Sequence, residues 1–200
     1  MIGLSRSTEG NAHKLSDTTA SVVVEGLFAT LTNVNFDNEA LLRILQCVEE
    51  EKKKLVPDCY ACAASCGKNN DYDMKELWNA NEDIRSLKSL ILFGIRGIAA
   101  YAYHAAVLGY KDEKIHQFLY KALFAIGTSD WGMDELLPIV LEVGEVNLSC
   151  MEMLDKANTE TFGHPKPVEV SLTVEKGPFI VISGHDLYDL KLLLEQTNGK

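Results

Sequence analysis

Between Pro178 and Leu194 the chain changes its apolar period, and that change limits the folds open to it. Residues 178–182, Pro-Phe-Ile-Val-Ile, are a short apolar run rich in β-branched side chains. This is the pattern of a strand buried on both faces. From Asp186 onward Leu187, Leu190, Leu193 and Leu194 recur at helical spacing. Asp186 and Asp189 stand at the start, where carboxylates suit the helix dipole. His185 therefore falls on the turn from strand to helix, the edge at which open α/β sheets place their ligands. A buried parallel strand needs neighbours and helices on both faces. The sequence stops at Lys200, where the next strand is due. The expectation is the front part of a larger protein, cut one βα unit into a second domain.

The preceding residues read as helices. Residues 1–16 are expected to be disordered or a cut end. Val22, Val23, Leu27, Phe28 and Leu31 mark a helix over about 17–31, and Thr32 to Asp37 a turn. Asp37 caps a long helix to about Leu55, with Leu41, Leu42, Ile44, Leu45 and Val48 as its stripe. Residues 57–73 form a break. Helices follow at about 82–108, 112–126 and 133–157, the first two stopped by Gly109 and Gly127. Residues 158–167 are a linker, and the alternation of 168–174 predicts a half-buried strand. The fold expected is mainly α: a helical-bundle domain over 17–165, then over 166–200 the opening strand–helix unit of an α/β, Rossmann-like domain.

Composition excludes several functions. The formal net charge is −10, which argues against a nucleic-acid or anionic-membrane surface, since both need clustered Lys and Arg. Lys52-Lys53-Lys54 directly follows Glu49-Glu50-Glu51 and reads as a solvated helix end. Met1 to Lys14 has no apolar core of a secretory signal. Leu90 to Leu108 is the longest apolar stretch, but Arg96 and His104 interrupt it, so a central helix is expected rather than a membrane span. Five cysteines, an odd number, without an export signal point to the reducing cytoplasm.

Cys59-x-x-Cys62-x-x-x-Cys66 is the strongest local motif. Thiolates at that spacing can share a zinc or an iron–sulfur cluster. A complete site wants a fourth ligand, and the alternative is a loop with incidental thiols. Cys47 and Cys150 sit inside helical patterns, where a buried cysteine behaves as a small hydrophobe. His104 reads as a core histidine, His116 as half-exposed, and His164 as part of a turn. His185 differs only by its place at a strand end. Ser183-Gly184-His185-Asp186 lacks the glycine pattern of a nucleotide loop.

Several blocks carry a resemblance. Gly26-Leu-Phe-Ala-Thr-Leu-Thr-Asn-Val-Asn-Phe-Asp37, Arg85 to Gly109, Asn158-Thr-Glu-Thr-Phe-Gly-His-Pro165 and Ile182-Ser-Gly-His-Asp-Leu187, with Leu193 to Gly199, resemble signatures of the hybrid-cluster (prismane) proteins, the hydroxylamine reductases. The blocks run in the family's order from about residue 17 to the end. The resemblance implies a helical domain followed by two α/β domains. It also implies a 4Fe-4S cubane cluster and a hybrid iron–sulfur–oxygen cluster, where hydroxylamine or a related nitrogen oxide such as nitric oxide is reduced. In that family the His of Ser-Gly-His-Asp-Leu ligates a hybrid-cluster iron; here that residue is His185. Its glutamate and cysteine partners come after the equivalent of Lys200. The cubane cysteines precede the block matching Gly26, and this chain has no cysteine before Cys47. The expectation is a fragment that binds no cluster and is inactive alone, from a cytoplasmic enzyme with an electron-donor protein and a small nitrogen-oxide substrate as partners. Two other readings stay open: a non-catalytic metal-binding module on Cys59, Cys62 and Cys66, and a cofactor-free helical interaction domain.

Overall fold

The computed structural model describes residues 1–8, 15–31, 36–55, 71–184 and 186–199. Among these the regular elements are helices: α1 (Ile2–Arg6), α2 (Asp17–Phe28), α3 (Asn38–Leu55), α4 (Met74–Trp78), α5 (Glu82–Val107), α6 (Glu113–Gly127), α7 (Met133–Phe162) and α8 (Leu187–Thr197). The chain divides into two compact units, Met1–Ala157 and Asn158–Lys200.

In the first unit α5 is the central helix. Its length and apolar composition would allow it to cross a membrane. Its inner stripe, Ile91, Ile95, Ile98, Ala99 and Ala102, is instead buried in one core with Val23, Val24 and Leu27 of α2 and Phe118, Leu119, Leu123 and Ile126 of α6. α7 meets that core along one seam. Leu136, Ile139, Cys150 and Ala157 are buried, and Val143, Val146 and Met153 half-buried. The alternating spacing of three and four keeps such a seam on one side of a helix.

Local chemistry sets the helix starts. Asp37 accepts from the amides of Glu39 and Ala40 at 2.9 and 3.0 Å, as the sequence predicts for α3. Ser16, Asn81 and Asp112 cap α2, α5 and α6 in the same way. Asp73 and Glu76 form a reciprocal capping box on α4. Lys88, a buried cation on apolar α5, donates to the carbonyl of Thr128 at 2.6 Å. Arg6 donates to the carbonyl of Gly127 at 2.7 Å through Nε. Two cations thus meet the negative end of α6.

Several expectations are corrected. Residues 2–6 were expected to lack order; they form α1, and Leu4 is fully buried. The hydroxyl of Tyr120 donates to the Leu4 carbonyl at 3.0 Å and lies 2.6 Å from Thr8 Oγ1. On α3 the expected stripe shifts: Leu42 and Leu45 are exposed, and Val48 and Glu51 are the buried residues. Gly127 is not a left-handed stop. It is the last residue of α6, before the extended Thr128, and a Cβ there would lie 2.7 Å from Ile2 Cγ2, so it makes room for α1. α7 continues beyond 157 to Phe162, and Gly163 at φ +88° ends it.

The second unit holds the last turn of α7, an extended exposed segment and α8. The strands expected at 168–174 and 178–182 do not form among the described residues. Val168, Val170, Leu172, Val174 and Phe179 to Ile182 are all exposed. Strand propensity expresses packing against neighbouring strands, and no described segment pairs with these residues. The Rossmann-like strand–helix unit is therefore present only in its helix.

Candidate functional site

The turn into α8 is built by the residues that flank position 185. Gly184 has φ +150°, a backbone conformation that strains any side chain. Asp186 is the N-cap of α8, and its Oδ1 accepts from the amides of Tyr188 and Asp189 at 2.9 and 3.2 Å. Asp189 lies in the first turn, as the dipole argument requires. His185 lies outside the described residues. Two other residues of Ser-Gly-His-Asp-Leu thus have local roles: one permits the backbone, the other starts the helix. Beside α8 an open groove of about 740 Å³ is lined by Phe162, Leu187, Leu190 and Leu194 among others.

The other candidate ligands do not converge. Cys59, Cys62 and Cys66 lie outside the described residues. Cys150 is fully buried, donates weakly to the Ile98 carbonyl at 3.5 Å, and its thiol is pushed up to about 11 by burial. It behaves as the small hydrophobe expected of it. Cys47, expected to be buried, is exposed on α3. His104 packs edge-on against the rings of Phe28 and Tyr103 at 5.5 and 6.0 Å. His116 is half-buried; burial first, then the Lys111 charge, holds its pKa below the ordinary value. His164 is exposed after the Gly163 turn. Among the described residues no group of three His, Cys, Asp or Glu side chains could hold a metal ion. Among the described residues one inert thiol, one surface thiol and scattered imidazoles do not make the donor set of an iron–sulfur cluster.

A second feature escaped the sequence reading. α6 and α7 flank an open groove of about 980 Å³. Ile115, Phe118 and Met153 lie among its lining residues, and Lys121 Nζ pairs with Glu142 Oε2 at 2.6 Å. Lys111, Lys114 and Lys121 on one wall face Glu142, Glu145 and Glu152 on the other. With Asp112 and Lys156 the lining holds as many carboxylates as lysines, so the groove has no net charge to favour an ion of either sign. Lysines at a spacing of three and seven were the available signal.

A family model described as "Prismane/CO dehydrogenase family" matches residues 1–200. The chain belongs to this family. This Prismane/CO dehydrogenase family member is similar to the hydroxylamine reductase of Methanosarcina mazei, with 42% identity over 195 residues, covering 92% of the chain and 36% of the relative. The hydroxylamine reductase of Thermodesulfovibrio yellowstonii is 46% identical over 192 residues, covering 88% of the chain and 35% of that protein. That of Acetivibrio thermocellus is 41% identical over 205 residues, covering 96% and 38%. The chain thus spans just over a third of the length of these curated relatives.

Proposed function

We propose that the chain is the helical part of a hydroxylamine-reductase-type oxidoreductase, working in the cytoplasm, and that it contributes His185 to an iron centre completed by residues outside this sequence. The observation that carries the reading is the identity of 42% and 46% with hydroxylamine reductases over about nine-tenths of the chain. The 183–187 turn supports it, because Gly184 and Asp186 fix the backbone on either side of position 185. Reduction of hydroxylamine to ammonia breaks the N–O bond and consumes two electrons and two protons. The activity therefore needs a protein electron donor as well as the small substrate; nitric oxide is a related candidate. The α/β reading of residues 166–200 belongs to the same proposal. The exposed run Phe179 to Ile182 has the composition of a strand and would become one when sheet neighbours are supplied. Among its described residues the helical unit offers no group of three His, Cys, Asp or Glu donors.

Anaerobic treatment of the chain with iron and sulfide, followed by iron counting and a hydroxylamine assay, tests the proposal. The expected result is no turnover, with the helical circular dichroism unchanged by metal. Turnover by the 200-residue chain alone would show that no outside donors are needed. In a longer polypeptide that contains this segment, His185→Ala should lower activity by at least about 10–100-fold, the cost typical of disturbing a metal ligand's partner. Wild-type cluster spectra and turnover in that variant would make the histidine a structural residue.

A further inference from the structure

The helical unit repeats itself. Set at one constant offset, Ser16 to Leu45 and Asp112 to Leu141 match Leu27-Phe28-Ala29 with Leu123-Phe124-Ala125, Thr32 with Thr128 and Glu39 with Glu135. Leu41 and Leu45 likewise fall on Leu137 and Leu141. Self-similarity at a fixed offset is the mark of a duplicated unit. The fold keeps the same register. Ser16, the N-cap of α2, falls on Asp112, the N-cap of α6. Each accepts from an amide of its first turn, Thr19 at 3.1 Å and Lys114 at 2.7 Å. From Asp17 to Phe28 every residue matches the burial of its counterpart in Glu113 to Phe124, except that Ala20 is buried and His116 half-buried. α3 and α7 begin within one position of each other in this register.

The packing is reciprocal. α5, which leads into α6, lies on α2, and α1, which leads into α2, lies on α6. Each also ties the far end of the helix that it crosses. Arg96 of α5 donates to the Thr30 carbonyl just past the end of α2. Arg6 of α1 donates through Nε to the Gly127 carbonyl, the last of α6, at 2.7 Å. Thr30 and Gly127 are one position apart in the register, and both cations meet the negative end of a helix dipole. α2 and α6 also pack on each other. They approach near their starts, where Lys111 Nζ donates to Ser21 Oγ at 3.5 Å and the Asp17 charge acts on His116.

We propose that α2–α3 and α6–α7 are two copies of one helical hairpin, set about an internal pseudo-two-fold axis between α2 and α6, with the leading helix of each copy clasping the other. The axis exchanges α1 with α5 and α2 with α6. An exchange that returns on itself is a two-fold rotation, whereas copies related by translation would clasp in one direction alone. The duplication also accounts for the groove beside α6. In the first copy Thr19 Oγ1 donates to Glu51 Oε2 at 2.7 Å and holds α3 against α2. The counterparts in the second copy are Ile115 and Asn147, which cannot make that bond between a hydroxyl and a carboxylate. There α7 stands off α6, and its Cys150 meets the Ile98 carbonyl of α5 instead. This goes beyond the reductase reading and does not depend on it.

Spin-label distances on the intact chain test it. Cys47, Cys59, Cys62 and Cys66 are first replaced by Ser, and Cys150, fully buried with its thiol pushed up to about 11, is kept. A two-fold axis carries Asp17 onto Glu113 and Lys121 onto Glu25. The pair Asp17→Cys with Lys121→Cys and the pair Glu113→Cys with Glu25→Cys should therefore give the same distance by pulsed dipolar spectroscopy. All four residues are exposed, so the labels need displace no core side chain. Thr18→Cys with Lys121→Cys, and Lys114→Cys with Glu25→Cys, form a second couple of the same kind at exposed sites. It keeps the test decisive if a variant of the first couple loses its helical circular dichroism. The expected result is that the two distance distributions coincide within each couple. Distances that differ within a couple by more than the width of either distribution overturn the proposal.

Discussion

Gly94→Ala gives the sharpest test of the α5–α7 packing. In a helix interior, alanine is favoured over glycine by about 0.8–1 kcal/mol. Here the added methyl would lie 2.4 Å from Val143 Cγ1, well inside the roughly 3.5–4.0 Å of carbon–carbon contact. Valine in a helix holds one side-chain rotamer, so it cannot swing away and the helices must separate. Overpacking of this kind costs about 1–3 kcal/mol. The net effect is a destabilisation of about 1 kcal/mol, or about 2–4 °C in Tm for a unit of this size. Gly97→Ala, three residues along, meets nothing within 4 Å. It should stabilise by about 1 kcal/mol. Thermal and urea unfolding would measure both. Val143→Ala should be less damaging in the Gly94→Ala background than in the wild type, with a coupling of about 1–2 kcal/mol. If both glycine substitutions shift Tm equally, or the coupling is zero, α5 and α7 do not approach at Gly94.

Tyr120→Phe should cost about 1–3 kcal/mol by urea titration, because the Leu4 carbonyl and Thr8 hydroxyl lose a buried partner. Glu51 is buried on α3, and its carboxyl is held below the ordinary value by hydrogen bonds first from Lys54 and then from Thr19. A depressed carboxyl stabilises the fold above its unfolded pKa of about 4.3, and that stability is lost as pH falls through the lower folded value. Glu51→Gln should therefore flatten the acid limb of a Tm-against-pH curve below about pH 4.3 and leave the curve unchanged in shape above it. With its thiol near 11, Cys150 is ionised in only about one molecule in a thousand at pH 8. Peptide mapping after iodoacetamide should find Cys47 modified and Cys150 untouched until urea unfolds the chain.

The long helices were legible because each repeats its apolar residues over several turns with a capping residue at the start. α2, α3, α5 and α6 lie close to where that pattern puts them. α1 was not legible. Its five residues are too few to show a period, and its order comes from Arg6 and Leu4 meeting residues more than a hundred positions away. α4 was missed although its signal was present, since Asp73 and Glu76 have the spacing of a capping box. The strands at 168–174 and 178–182 failed for a different reason. The pattern is correct for a strand, but strands exist only in pairs, and pairing is not a property of one segment. At the candidate site the glycine and the aspartate could be read from position and type. A donor set cannot be read that way, because ligands converge through the fold and not along the chain.

The stitching of the first helix onto the sixth has a consequence for synthesis. Arg6 binds the carbonyl of Gly127, and Tyr120 binds that of Leu4, so the contacts span 121 and 116 residues of chain. A ribosome adding about 5–20 residues per second needs roughly 6–24 s to make that stretch. Until then Ile2 and Leu4 have no seat, and the emerging bundle lacks one side of its core. The order of synthesis is thus the reverse of the order of docking: α1 is made well before the end of α6 on which it seats. A bulky fusion ahead of Met1, whose amino group is itself drawn down by burial, would burden that final step more than a fusion on an exposed loop.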